Sequence, residues 1–131
     1  MTTRRHCTSD IYSHPLTDQL AAARDRLRQA SVTTSGSPLV GPDLYWALGV
    51  LAQCLTATNE FIEHVGVNAS GQLTSGTSVV ESGPFTGAPD TALLSAVLAL
   101  ATASSHCSPV IDAVTDAQIA VADLAATPVH R

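Results

Sequence analysis

The sequence predicts an all-α protein. Its expected form is a four-helix bundle of up-down-up-down order, with a long Gly/Ser/Thr-rich connection between helices two and three. Three observations predict it. Apolar residues recur at spacings of three and four along four stretches, the pattern of amphipathic helices. Pro and Gly punctuate the ends of those stretches. No credible sheet accompanies them, and helices that each bury one face are satisfied by packing on one another.

Residues 1–13 read as a tail, 14–127 as a single helical domain that includes the loop 66–89, and 128–131 as a C-terminal tail. The first helix begins at Pro15, a residue suited to the first helical position, and Asp18 places negative charge in its first turn. Leu16, Leu20, Ala23 and Leu27 form its apolar stripe. It is expected to stop near Ala30, because Val32 to Pro38 combines β-branched residues with Gly and Pro.

Pro42 and Asp43 open the second helix, and Leu44, Leu48, Leu51, Leu55, Thr58, Ile62 and Val65 repeat at four and three. Beside them runs a second seam of Ala47, Val50, Cys54, Ala57 and Phe61. Two adjacent seams require two neighbours. Gly66 is placed to end this helix, and Cys54 reads as a small core hydrophobe.

The connection GVNASGQLTSGTSVVESGPFTGAPD has no helical period. Gly71–Thr74 and Thr77–Glu81 read as a short hairpin at most, and Phe85 as an anchor folded over helix three. Helix three starts at Asp90 or Thr91 and is apolar nearly all round, the mark of a buried helix. In so small a chain that burial requires oligomerisation or a lid. Ser104 to Pro109 is expected to break the run, with Ser108 capping a fourth helix that carries Val110, Val114, Ala117, Val121 and Leu124 and ends at Thr127-Pro128.

Composition narrows the function. Of 131 residues, 45% are apolar and only 13% charged, where about a quarter is ordinary. Six basic residues, all Arg, face 11 acidic ones, for a net charge of −5. Such an acidic surface repels nucleic acid and anionic membranes, so neither is an expected partner. A surface this poor in charge suits a chain covered by another copy of itself or by a protein partner. Arg4-Arg5 lacks a following apolar run, and the apolar runs within 44–55 and 92–103 are too short or too broken to span a bilayer. Three widely spaced cysteines, Cys7, Cys54 and Cys107, form no disulfide framework, which fits a cytoplasmic location.

Two constellations invite a site. Glu60 and His64 share a helix face at i,i+4 and are candidate ligands for a divalent metal, although the pattern occurs once and di-metal bundles use Glu-x-x-His. Up-down-up-down topology would bring His14, Asp18, Asp90, Asp123 or His130 near His64. Tyr45, Trp46, Phe61 and Phe85 are candidate interface or ligand-pocket anchors. His106-Cys107 lacks an orienting acid, and no phosphate loop, nucleophile elbow or Cys-x-x-Cys occurs. The expectation is a noncatalytic, cofactor-free, self-associating helical protein that binds a protein partner through apolar helix surface. The alternative is a small-molecule or metal-binding bundle with weak enzymatic activity.

Overall fold

Helix-forming segments here run past the punctuation that should stop them. The computed structural model describes residues 14–76 and 87–126. Of these 91% are helical, and no strand occurs among them. The helices are α1 (Pro15–Gly36), α2 (Gly41–Ser75), α3 (Pro89–Ala120) and the five-residue α4 (Ala122–Ala126). All-α is therefore right, but the four-helix bundle is not: there are three long helices. The chain divides into two units, residues 1–39 and 40–131.

The first unit holds α1. His14 caps it, its Nδ1 accepting from the Leu16 N–H at 3.0 Å, while Pro15 occupies the first turn. The helix does not stop at Ala30. The hydroxyls of Thr33 and Thr34 donate to the carbonyls of Gln29 and Ala30 at 3.0 and 2.8 Å, the i−4 bonding these side chains adopt inside a helix. Pro38 ends it instead: Ser37, the residue before it, is extended at φ −145° and ψ 105°.

The second unit is a helical hairpin of α2 and α3, with α4 packed beside both. The helix beginning at Gly41 passes through Gly66 and stops at Gly76, whose left-handed φ of 66° allows its N–H to donate to the Gln72 carbonyl at 3.1 Å. Residues 66–75, expected in the loop, are thus its last turns, and the strand expected at Gly71–Thr74 is absent. Gln72 Nε2 donates to Asn68 Oδ1 at 3.2 Å, an i,i+4 pair that supports the extension. Gly66 lies in the seam, where a Cβ built on it would make an ordinary contact 3.9 Å from Leu100 Cβ. The Phe85 anchor and the strand at 77–81 lie outside the described residues.

Helices three and four of the sequence reading are one helix. α3 runs unbroken through Ser104–Pro109, with Pro109 in its interior. Proline cannot donate to the carbonyl of Ser105 four residues earlier, a loss of about 3 kcal/mol in an ordinary helix interior. Packing on both sides of Pro109 holds the helix together. Ser104 and Cys107 before it, and Ile111 and Val114 after it, are half-buried at spacings of three and four. On α2 the matching half-buried row is Gly41, Tyr45, Leu48, Ala52, Leu55, Asn59, Ile62, Gly66, Ala69 and Leu73, again alternating four and three.

This row is rotated from the one expected. Leu51 and Thr58 lie outside it, Cys54 is exposed rather than core, and no described residue is fully buried. Joining the two expected helices also makes Pro89–Leu124 long and apolar enough to cross a membrane by length and composition, unlike the shorter runs read from sequence. None of that stretch is buried among the described residues, and one such helix is weak evidence of a membrane span.

A continuous α3 has a measurable consequence. Pro109→Ala restores one backbone hydrogen bond and should raise the unfolding free energy by about 1–3 kcal/mol in urea titration. Were Pro109 the first residue of a separate helix, the substitution would be nearly neutral.

Candidate functional site

Midway along the hairpin the apolar row is interrupted by polar side chains that sequence reading passed over. The Ser104 hydroxyl donates to Asn59 Oδ1 at 2.8 Å, and Glu63 Oε2 lies 3.4 Å from the same hydroxyl. One hydroxyl proton serves one acceptor well, and the shorter distance gives it to Asn59. Nearer the N-terminal end of α2, Gln118 Nε2 donates to the Tyr45 carbonyl at 3.4 Å. Gly49 makes room for that side chain: a Cβ there would stand 2.6 Å from Gln118 Nε2. These contacts fix which residue of α2 stands opposite which residue of α3, because a slip along the seam would leave part-buried amides unpaired.

Beside the polar pair lies a groove of about 520 Å³. Its walls are Ile62, Val67, Val97 and Leu100, its floor includes Gly66 and Ala101, and Glu63, Ser70, Ser104 and Ser105 bring polar groups to it. It exists because small residues cluster there. Gly66, Ser70, Ala101 and Ser105 leave space that larger side chains would fill. The groove therefore offers an apolar surface with one carboxylate at its edge, able to receive a narrow amphipathic group. It holds no nucleophile–base pair of the Cys-His kind.

The expected site residues are spread over the hairpin. Tyr45 is half-buried in the seam against α3, while the neighbouring Trp46 is 67% exposed. Their rings meet edge to face, with centroids 5.2 Å apart at 85°. Phe61 is half-buried farther along α2. Phe85 lies outside the described residues.

Glu60 and His64 are both exposed. No group of three or more His, Cys, Asp or Glu suited to a metal forms among the described residues. The topology that recruited extra ligands does not hold. The pairing of Asn59 with Ser104 and of Tyr45 with Gln118 sets His64 opposite Ala99. Asp90 is then about 9 residues of helix away, on the order of 14 Å. Asp123 lies farther still, at the opposite end of the hairpin.

The missed residues had a signal. Asn59 and Ser104 each sit within rows of small and apolar residues at heptad spacing, where a lone polar side chain marks register. A double-mutant cycle on Asn59→Ala and Ser104→Ala, followed by denaturant unfolding, should return a coupling of about 1 kcal/mol. Strict additivity would dissolve the pair. Comparison with known proteins adds no name to this arrangement: no family model, no curated protein and no solved structure matches the chain.

Proposed function

We propose that this chain is a noncatalytic, self-associating helical protein that binds a protein partner through apolar helix surface. One observation carries the reading: a hairpin of two long apolar helices leaves Val50, Leu51, Leu94, Leu98, Val110 and Ile119 exposed along its length. Apolar side chains repeated on an ordered surface, with few charges between them, are the composition of an interface. Tyr45, Trp46 and Phe61 supply aromatic area for such contacts, with Phe85 as a further anchor.

The partner is protein rather than nucleic acid or lipid. A net charge of −5 disfavours a phosphate backbone. Glu60, Glu63 and Asp112 lie along the same hairpin, and carboxylates of this kind are costly to place in hydrocarbon. Its place of work is the cytoplasm, where Cys54 and Cys107 persist as free thiols. No cofactor is needed for this role.

The groove beside Glu63 favours a second reading, a bundle that holds a small molecule with an apolar body and a donor at one end. A divalent metal on Glu60 and His64 belongs to the same reading and needs ligands from a second chain. Native mass spectrometry of untagged protein, purified without chelator, separates the two. An oligomer without adduct, persisting in 1 M salt during size-exclusion chromatography, is the expected result. A monomer would overturn self-association, and a stoichiometric adduct would give the second reading precedence.

A further inference from the structure

The two broad sides of the α2–α3 hairpin differ in chemistry. The groove marks one side: Glu63, Val67 and Ser70 of α2 meet Ala101 and Ser105 of α3 there. In an antiparallel helix pair, residues flanking the seam on the same side lie next to each other. The opposite side therefore carries Leu44, Ala47, Leu51, Cys54, Thr58, Phe61 and Val65 from α2, spaced along a second heptad row. From α3 it carries Ala96, Ala99, Ala103, His106, Val110, Ala113 and Ala117, also at heptad spacing. Between Leu44 and Val65, and between Ala96 and Ala120, neither row contains Asp, Glu or Arg. The α2 row is the larger, with Leu44, Leu51, Phe61 and Val65, while the α3 row is alanine except at His106 and Val110; Leu51, Cys54, Ala99 and Ala113 are exposed.

We infer that this face is covered by the same face of a second copy, related by a two-fold axis parallel to the helices, so that two hairpins form an intermolecular four-helix bundle. The inference rests on the self-association reading and names its surface and geometry. Self-complementarity argues for a second copy. An axis parallel to the helices lays the large row of each α2 over the alanine row of the other copy's α3. An axis across the helices would instead set Leu and Phe against Leu and Phe and leave Ala facing Ala, with poorer filling of space.

The parallel axis also makes every neighbouring pair antiparallel, within and between copies, which suits the helix dipoles. The face is long enough. Leu44 to Val65 spans about 33 Å and two helices about 20 Å, so two copies cover on the order of 1,300 Å², within the range of stable interfaces.

Register follows from the hairpin itself. An axis parallel to the helices leaves heights unchanged, so the pairing of Asn59 with Ser104 carries over between copies. Phe61 then meets Ala103 of the second copy, and Cys54 meets its Val110 and Ala113.

The test uses the full chain. Ala113→Glu puts a carboxylate at the middle of the face. It should raise the dimer dissociation constant at least ~100-fold in sedimentation equilibrium, with helical circular dichroism retained. Thr56→Glu, at an exposed position on the groove side of α2, should leave the dimer intact. For the axis, a chain keeping only Cys54 is mixed with one whose three cysteines are replaced by Ser and which carries Ala113→Cys. Oxidised glutathione should then give the mixed disulfide in preference to either homodimer.

A monomeric unsubstituted chain would overturn this inference together with the self-association reading. An oligomer broken by Thr56→Glu and not by Ala113→Glu would overturn the face while leaving self-association standing. A dimer yielding Cys54–Cys54 in place of the mixed disulfide would overturn the two-fold arrangement.

Discussion

The packing of α2 against α3 along one seam is the constraint on which the second unit depends. On α2 that seam mixes Tyr45, Leu48, Leu55 and Ile62 with Gly41, Ala52, Gly66 and Ala69, all half-buried at spacings of three and four. That packing carries α3 past a proline that would otherwise terminate it, and it seats Ser104 against Asn59 at 2.8 Å. It also decides which side chains stand beside the seam. Leu51, Phe61 and Val65 flank it because α3 has taken the neighbouring row of α2.

Several features were legible in the sequence, because local signals and tertiary packing agreed there. Pro15 with Asp18 starts α1, Pro42 with Asp43 starts α2, and Asp90 lies in the first turn of α3. The helical stretch from Leu44 to Val65 was likewise plain from its period. Disagreement appeared wherever a local stop signal lay under a helix contact. Gly66 reads as a cap, yet it lies half-buried in the seam against α3 and the helix continues through it. Ser108-Pro109 reads as a cap and first turn, yet Cys107 and Ile111 hold both flanks in one row. Propensity is a weak signal against packing over so many turns. The end of α1 misled for a different reason: β-branched Val32, Thr33 and Thr34 lower helix propensity without barring the helix, the two hydroxyls bond to carbonyls of the preceding turn, and the stop comes only before Pro38.

The candidate site was less legible than the fold. Hydrophobic periodicity was judged by the largest residues, which drew the expected seam toward Leu51 and Thr58 and away from Ala52 and Asn59. A polar residue in the true seam then looked like part of the solvated face. Chemistry-bearing pairs found by spacing alone, such as Glu60 with His64, needed partners from other helices. Those partners depended on a topology that merging two helices into α3 removes. Glu63 gained its place beside Ser104 from the same change.

A hairpin of this kind cannot satisfy itself. Each helix can turn one stripe toward its neighbour, but α2 and α3 have apolar residues around more of their circumference than one stripe covers. The remaining rows are ordered by the same heptad that aligns the seam, so their side chains stand at fixed heights relative to one another. A disordered apolar segment would present no such array. Low charge follows from this arrangement: where a flank must be covered, charged side chains would carry a desolvation cost and oppose assembly. The sparse charge, the half-buried seam and the uncovered rows beside it are thus three expressions of one pattern, an apolar period wider than a single helix contact covers.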